Sequence, residues 1–508
     1  MNGARSDRAA EALRVVGSVP FTEDRAIERP MAHLKLLLLL FLLTLPLVNP
    51  WVRGDGVGYY AYVRSMLIDH DLNFANDYMA GNESFVKSRT DAAGHLRPEL
   101  YTKTGRVENH FSVGPAILWA PVLITVHLLV LVYNHFGAHV LANGFSRPYL
   151  LAMGLTTACY GFLALLLAYQ MAKNYFDKQW AFLATCGIWL ASSLPVYMYF
   201  NPSWSHAFSA FSVSLFLWYW DRTRLQRSPG QWVALGLAAG LMCNVYYPNV
   251  FLLIFPGIEI IYLLLYAPDR GQKPEPAARL FACGVIFGVV FLVSLLPTFV
   301  TRQMIYGNPF ATGYPGIRTW NWASPALSSV LFSSDHGMWT WTPILFFAAV
   351  GLIFLYKRDA LLGIGAILTF LAYYYFIASY PDWDGLSSYG NRFFISLTPI
   401  FILGLAALLN ALARAASGSR VAAPAALAIM LLVVWNLGFI FQWGTHLVPA
   451  RGKISWPEMV HNQLEVVPAK IVRGLETYFL HRKDMMRHIE QEDMDQQGTK
   501  KLTEDAPF

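Results

Sequence analysis

The chain has 508 residues, of which 55% are hydrophobic and only 14% are charged, and its formal net charge is +6. A soluble domain carries about 25% charged residues, so this composition excludes a soluble globular protein with an ordinary polar surface. Because excess Lys and Arg usually mark the cytoplasmic loops of a membrane protein, the positive charge does not indicate nucleic-acid binding.

The amino-terminal segment, residues 1–32, is polar and basic, and the first apolar run follows at residues 33–51. Basic residues ahead of a first span keep that end of the chain inside, so we expect a cytoplasmic N-terminal segment. A secretory signal peptide is the alternative. It is disfavoured because the run is long for such a segment and no small-residue cleavage site follows it.

Ten further runs are apolar and long enough to cross a hydrocarbon core of about 30 Å as helices. If the loop before residue 148 is outside, the short inside loops carry most of the Lys and Arg, including Arg270 and Lys273, whereas the short outside loops carry Arg318 and Arg392. All four cysteines lie within apolar runs and are typical of small core residues, not of a disulfide or metal framework. The ten runs are 148–172, 180–198, 206–220, 231–247, 249–267, 280–304, 340–356, 360–379, 393–413 and 421–442.

One more apolar run, residues 114–134, would invert every later loop if it crossed the membrane. Pro115 and Pro121 interrupt it, which suits a helix that lies at the interface or re-enters from outside. The sequence therefore predicts an all-α polytopic membrane protein with eleven spanning helices between residues 33 and 442. A first extracytoplasmic loop is expected at 52–147.

The tail, residues 443–508, is expected outside as well under this count. Residues 456–483 of the tail favour one or two amphipathic helices. The acidic, Gln-rich end after about residue 484 is typical of disorder.

The first outer loop carries the most informative polar residues. Asp55 lies between two glycines, and residues 57–68 are predicted to form a short amphipathic helix. A carboxylate at the membrane surface, flanked by glycines and followed by aromatic residues, is suited to face a cavity. The alternative is that Asp55 only caps the following helix, a role in which Asp is common. Further polar residues of this loop are Asp69, Asp71, Asp77, Glu108, Asn109 and His110.

The other outer loops also combine polar and aromatic residues. Trp and Tyr are enriched at membrane interfaces in any case, so most of these side chains are explained by an interfacial belt, and stacking on sugar rings is the functional alternative. The residues concerned are Asn201, Trp204, His206, Asn244, Tyr246, Tyr247, Asn249, Tyr306, Asn308, Arg318, Trp320, Trp322, Asp335, His336, Asp382, Trp383, Asp384, Tyr389, Asn391 and Arg392.

The pattern D-x-x-x-Y-x-x-x-x-R-x-M-L, followed by an acid and then by an apolar helix headed by a proline motif, resembles the GT-C superfamily. More narrowly, it is similar to the family 39-like lipid-carrier-dependent glycosyltransferases, which include protein mannosyltransferases and the aminoarabinose transferase acting on lipid A. The pattern is carried by Asp55, Tyr59, Arg64, Met66 and Leu67.

Three further positions bear on this resemblance. Asp71 matches the acid that follows the helix, and residues 111–115 stand where relatives have a lysine–proline–proline type motif. This sequence lacks that lysine. It also has Gly56 where many relatives have a second acid directly after the first.

The resemblance implies an inverting transfer of a sugar from a polyprenyl-phosphate donor to a lipid, glycan or protein acceptor at the extracytoplasmic face. It also implies a GT-C-like bundle of about 11 transmembrane helices whose first loop carries two juxtamembrane helices. Because polyprenyl phosphate is already a good leaving group, the chemistry needs a carboxylate base for the acceptor proton and a cation for the departing phosphate. Catalysis is assigned to Asp55 as the general base, with Asp71 assisting it or positioning the acceptor.

The donor phosphate is assigned to Arg392, with Arg302, Arg64 or Arg318 as substitutes, although Arg392 is also suited simply to anchor its helix at lipid headgroups. No cofactor is required. A divalent metal ion is compatible with the family, but no tight metal-ligand spacing is visible. Substrate binding is assigned to Tyr59, Tyr60, Asp77, Asn109, His110, His206, His336, Asp384 and Tyr389. For the histidines, a hydrogen bond to a nearby backbone carbonyl is the alternative.

The rival class is a lipid-linked sugar flippase or transporter. Such proteins place charged groups near the bilayer midplane and contain internal repeats, whereas Glu259 is nearly alone within the spans and no repeat is evident. A surface polysaccharide polymerase or ligase and a non-catalytic scaffold are further alternatives.

Membrane lipids and the lipid-linked donor are the expected partners, without nucleic acid. We expect a multi-pass protein of a bacterial inner membrane, although an endoplasmic reticulum membrane would present the same topology.

Overall fold

The computed structural model describes residues 32–265, 277–314, 316–416, 418–449 and 452–504. Almost all of the predicted N-terminal cytoplasmic segment lies outside the described residues, and so do Arg270 and Lys273 of one predicted inside loop. Within the described part, the chain forms helices, turns and two isolated β-bridges, which join Thr90 to Leu96 and Tyr101 to Val107. The predicted all-α fold class is confirmed.

The α-helices are numbered here in chain order. They are α1 (Ala32–Thr44), α2 (Asp55–Arg64), α3 (Ala75–Met79), α4 (Glu83–Lys87), α5 (Gly114–His135), α6 (Arg147–Tyr175), α7 (Lys178–Leu190), α8 (His206–Thr223), α9 (Pro229–Val245), α10 (Ile254–Leu265), α11 (Ala277–Ser294), α12 (Leu296–Tyr306), α13 (Leu327–Phe332), α14 (Met338–Trp341), α15 (Ile344–Arg358), α16 (Ala360–Ser379), α17 (Thr398–Ala415), α18 (Gly418–Gly444), α19 (Trp456–His461), α20 (Val467–Leu480) and α21 (Arg482–Glu504).

In the described part of the chain, eleven helical stretches coincide with the eleven predicted spans: α1, α6, α7, α8, α9, α10, α11 with α12, α15, α16, α17 and α18. We call the end of the bundle that holds Asp55 the site end. At the opposite end, Arg224 binds Asp359 at 3.0 Å, and Arg358 donates to the carbonyl of Tyr175 at 3.0 Å. These contacts bring the turns after α6, α8 and α15 together, as alternation requires.

Seven described helices are long and apolar enough to cross a membrane, and one of them is α5. Its partners, however, keep α5 at the site end. The indole of Trp119 donates to Thr157 at 3.0 Å, whereas His127 bonds Tyr149 at 2.7 Å, so α5 runs antiparallel to the first half of α6. Since α6 begins at the site end, with Gly154 packed against Val48, this pairing favours the prediction that the 114–134 run does not cross the bundle.

Helix α17 is the centre of the bundle, and nearly all of its side chains are buried. It packs tightly on α15, where a methyl group added to Gly351 would meet the carbonyl oxygen of Gly404 at 1.8 Å. Small residues allow helix backbones to approach closely in membranes, where dispersion replaces the hydrophobic effect as the source of packing energy. This pair therefore sets the spacing of the two helices.

The C-terminal tail packs on the site end. The hydroxyl of Tyr478 donates to the carbonyl of Leu47 at 2.6 Å, and Arg482 donates to the carbonyls of Val48 at 2.7 Å and Pro46 at 3.1 Å. These bonds satisfy carbonyl groups left free where α1 ends. The prediction of disorder after about residue 484 is wrong, because α21 continues the tail as a helix with buried contacts to the first loop.

Candidate active site

A cavity of about 1600 Å³ opens at the site end. Its wall is built from the end of α1, the start of α2, the loops between the later helices, and α18, α20 and α21. The polar groups converge near Asp55, while the lining toward α1 and α18 is mainly aliphatic and aromatic. Such a cavity suits an amphipathic ligand with a charged head and an apolar chain.

Asp55 and Arg392 form an ion pair in this cavity, with 2.6 Å between Oδ2 and Nη1. Asp55 is the first residue of α2, and the N-cap of this helix is Gly54. No side-chain capping hydrogen bond is formed at this end, and the carboxylate of Asp55 accepts from Arg392 instead. The guanidinium of Arg392 lies 4.3 Å from the ring centre of Trp204. Trp204 in turn donates to the carbonyl of Arg53 at 3.0 Å. The aromatic ring therefore orients the cation toward the carboxylate.

The structure gives a steric reason for the glycine at position 56. A Cβ atom at this position would lie 1.9 Å from Oγ of Ser203 and 2.5 Å from its Cβ. The second acid found in many relatives therefore has no room here, because the 201–205 turn packs directly on α2.

Two cavity-lining arginines were not among the predicted site residues. Arg53 pairs with Asp493 of α21. Arg89 lies 3.6 Å over the ring of Phe85 and donates to Ser88 at 3.0 Å, and no described carboxylate forms an ion pair with it. No periodicity or motif distinguishes Arg89 from the other basic residues of the loops. Only its positive charge could have suggested it as a site residue.

Burial alters the protonation of the groups beside Arg89. Burial raises the pKa of Glu108, against the opposing effect of Arg89. Burial lowers the pKa of His110 to about 4, although Asp55 acts in the other direction. His110, whose ring lies 4.8 Å from that of Tyr314, is therefore neutral at neutral pH and is suited to exchange hydrogen bonds with an uncharged polar group.

Five of the predicted site residues line the cavity: Asp55, Tyr59, His110, His206 and Arg392. Aromatic residues surround this polar region on the side of α12 and α16, namely Tyr246, Tyr247, Tyr314, Trp320 and Tyr380. The opposite side of the cavity is apolar, with Leu40, Leu47, Leu190, Leu437, Ile440 and Leu475.

Arg302 does not line the cavity. Its guanidinium is buried and donates to the carbonyls of His110 at 2.7 Å and Phe111 at 3.0 Å, and also to Asn109 and the hydroxyl of Tyr247. Both Nη atoms are thus used to hold the segment before α5 and the neighbouring Tyr247. The structure gives Arg302 a positioning role, away from the cavity in which a phosphate could bind.

Arg64, Asp71 and Asp77 also lie away from the cavity. Arg64 pairs with Asp69, and with Asp77 at 3.3 Å. Burial raises the pKa of Asp77 to about 7, and Arg64 opposes this rise. Asp71 accepts from Ser65 at 2.7 Å and from its own turn. These residues join α2 to the following turn.

The remaining predicted residues are placed outside the cavity lining as well. Tyr60 and Asn109 are buried and donate to the carbonyls of Gly144 at 2.6 Å and Gly58 at 2.9 Å. Tyr389 is buried and bonds Asn436 at 2.7 Å. The other three are Arg318, which is exposed, Asp384, which accepts from the amide of Leu386 at 3.2 Å, and His336, which is buried and stacks on Trp341.

Glu259 pairs with Arg227 at 3.0 Å, away from the cavity. Both side chains are buried, so this intramembrane charge is neutralised by a neighbouring helix connection, as expected for a charge in a membrane interior. Among the residues that the structure describes, no group of three or more His, Cys, Asp or Glu side chains is arranged to hold a metal ion.

Residues 149–295 match the family model described as dolichyl-phosphate-mannose-protein mannosyltransferase. No curated protein matches the chain. The chain is also similar to ArnT from Cupriavidus metallidurans in the apo state, at 14% identity over 89% of this chain and 77% of that chain, with a TM-score of 0.46. For ArnT bound to undecaprenyl phosphate, identity and coverage are the same and the TM-score is 0.44.

Structural likenesses at such low TM-scores say nothing about the site. The family match covers α6 to α11 and includes neither Asp55 nor Arg392. Over residues 149–295, it confirms the resemblance to GT-C membrane glycosyltransferases that the Asp55 motif indicated.

Proposed function

We propose that this protein transfers a sugar from a polyprenyl-phosphate donor to a lipid, glycan or protein acceptor, with inversion at the anomeric carbon. The observation that carries the proposal is the Asp55–Arg392 ion pair inside a cavity that combines a cationic region with an apolar region. The family match supports the class of reaction.

Asp55 is the proposed general base. Its carboxylate takes the proton of the acceptor hydroxyl as the acceptor oxygen attacks the anomeric carbon. The bond from that carbon to the phosphate oxygen breaks, and polyprenyl phosphate leaves with the electron pair. Because the phosphate is a good leaving group, the second carboxylic acid of glycoside hydrolases is not required.

Arg392 and Arg89 are the proposed ligands of the donor phosphate. Arg392 is next to the base, and Arg89, which interacts electrostatically with Glu108, forms no ion pair with a described carboxylate. Guanidinium groups bind phosphate oxygens bidentately, and preorganised cations stabilise the charge that develops as the phosphate departs. In this proposal Arg392 exchanges part of its contact with Asp55 for the phosphate, which frees the carboxylate to act as a base.

The polyprenyl chain is placed along the apolar side of the cavity, between α1, α7 and α18. Leu40, Leu190 and Ile440 line this side. The aromatic side, with Tyr246 and Trp320, is assigned to the acceptor or to the transferred sugar, since aromatic rings pack against sugar faces.

The charge asymmetry of the loops supports a membrane orientation with the N-terminus and the opposite end of the bundle in the cytoplasm. The site end then faces the extracytoplasmic side. We assign the protein to a bacterial inner membrane. No metal is required by this scheme, and a divalent ion remains compatible with it.

The test compares purified wild-type protein with Asp55→Asn on a panel of radiolabelled polyprenyl-phosphate sugars, following release of polyprenyl phosphate. Asp91→Asn, an exposed residue of the same loop, is the matched control. Release by wild type and the control, with none by Asp55→Asn, supports the proposal. Absence of release with every donor, together with movement of lipid-linked sugar across liposomes by the same preparation, contradicts it and favours a flippase. A variant that binds donor without turning it over argues against the scaffold alternative.

A further inference from the structure

One carboxylate of the C-terminal helix α21 reaches into the cavity and is held there by an arginine and a histidine side chain. Asp493 pairs with Arg53 through Oδ2, and its Oδ1 lies 3.2 Å from Nε2 of His446. His446 also bonds Glu492, the neighbour of Asp493. Arg53, His446 and Asp493 all line the cavity.

This contact is close to the proposed catalytic base. Arg53 is two residues before Asp55, and its guanidinium lies 4.5 Å from the ring centre of Trp51. One turn earlier in α21, Glu490 accepts from the side chain of Asn82 at 2.8 Å, while Asn82 accepts from the amide of Gly54 at 3.0 Å. The tail therefore contacts Arg53 directly and reaches Gly54 through Asn82.

The two parts of the tail are attached by different forces. Helix α20 and the start of α21 bond backbone carbonyls through Tyr478 and Arg482, contacts that a soluble ligand does not replace. Asp493 is held by side-chain groups that line the cavity, whereas Glu490, which lies outside the cavity lining, accepts from Asn82 and from the buried amide of Ser84. A phosphate carries more negative charge than one carboxylate and offers three acceptor oxygens, so it competes directly with Asp493 for the same donors.

We propose that Arg53 and His446 form a second anion site for a phosphate group, and that Asp493 occupies this site as an internal competitor until a phosphate ligand displaces it. The proposal rests on the function proposed above, because that function supplies the phosphate. Displacement releases the end of α21 from the cavity mouth and uncovers the Arg53–Asp55 segment. Ligand affinity and release of α21 are then linked, since a ligand shifts an equilibrium only through its preference for one state.

The experiment measures hydrogen exchange of residues 487–495 in the full-length, detergent-solubilised protein. Farnesyl phosphate is the probe, farnesol is the uncharged control, and inorganic phosphate separates a lipid-borne from a free phosphate. Farnesyl phosphate is expected to speed exchange in wild type, and farnesol is not. If inorganic phosphate speeds exchange as much as farnesyl phosphate does, the site binds the free ion. If inorganic phosphate leaves exchange unchanged, the site binds the phosphate of a lipid headgroup.

Two variants sharpen the test. Asp493→Asn is expected to show fast exchange without ligand and to bind farnesyl phosphate about tenfold more tightly, within the usual range for coupled equilibria. Asp484→Asn removes the same charge from an exposed position of the same helix and should behave as wild type. Adding Arg53→Gln to Asp493→Asn should abolish the gain in affinity, which a general loosening of the tail would leave in place.

Slow exchange of residues 487–495 in wild type saturated with farnesyl phosphate would overturn the proposal, as would unchanged affinity in Asp493→Asn. These results are independent of turnover. If α21 is released but no sugar is transferred, the anion site is supported and the glycosyltransferase function is contradicted. If sugar is transferred while α21 stays in place, the glycosyltransferase function is supported and the anion site is contradicted.

Discussion

Asp55 and Arg392 are 337 positions apart in the sequence, and their side chains meet at 2.6 Å in the cavity at the site end. One begins the helix that follows the first span, and the other begins the segment that leads into the central helix α17. The pair therefore joins the first loop to the core of the bundle.

Replacing Arg392 should reduce the rate more than it reduces binding. We expect Arg392→Gln to lower kcat by about 100-fold or more, because the cation stabilises charge that develops as the phosphate leaves. Arg392→Lys should retain part of the activity, since it keeps the charge but loses the bidentate geometry. Steady-state kinetics with separate kcat and KM values test this. A wild-type kcat in Arg392→Gln would contradict the role.

Arg89 should act mainly on donor binding. We expect Arg89→Ala to raise KM for the donor about tenfold, the loss typical of one charge-assisted hydrogen bond. The melting temperature should fall only modestly, because the variant loses the contacts to Phe85 and Ser88 but no ion pair with a described carboxylate. Lys87→Ala, an exposed neighbour in α4, is the control. If both variants bind donor as wild type does, Arg89 is no phosphate ligand.

Restoring the acid that relatives carry after Asp55 should destabilise this protein. Gly56→Asp, and even Gly56→Ala, places a Cβ atom within 1.9 Å of Oγ of Ser203, and overpacking of this kind costs about 1–3 kcal/mol. Thermal unfolding in detergent should show a lower melting temperature for both variants. Adding Ser203→Gly to Gly56→Ala should recover much of the loss. Failure of this rescue would mean that the cost comes from the backbone.

The contacts of His446 should make stability depend on pH. Burial lowers the pKa of His446, but hydrogen bonds to Asp493 and Glu492 outweigh it, so the pKa is raised. A raised histidine pKa contributes stability that is fully present below the unfolded value of about 6.5 and is lost as pH rises through the folded value. Arg53 and His488 are the other charged groups beside these two carboxylates.

We therefore expect the difference in melting temperature between wild type and His446→Gln to be largest near about pH 6 and to shrink toward about pH 9, because only protonated His446 gains from the pair. His481 is an exposed histidine of the tail and serves as the control. The difference in melting temperature between wild type and His481→Gln should not decrease as the pH rises. A gap for His446→Gln that stays constant with pH would contradict the protonated pair.

Some of the site could be found from sequence and some could not. Asp55 and Tyr59 belong to a local motif whose spacing is visible in the chain, and both line the cavity. Arg89 has no such motif, and Arg53 is distinguished only by its contact with α21. Arg302 and Arg64 resemble phosphate ligands in sequence, but internal carbonyls and carboxylates occupy their donors.

The sequence by itself determined the membrane class and the positions of the apolar helices, because the length of an apolar run is a local property of each segment. Only the tertiary structure decided which polar loop residues face the cavity. Loops at one end of a bundle can pair their hydrogen-bonding groups in many ways, and the pairing is chosen by packing between residues hundreds of positions apart. The same packing decided that Asp493, in a segment whose composition indicates disorder, reaches Arg53 beside the proposed base.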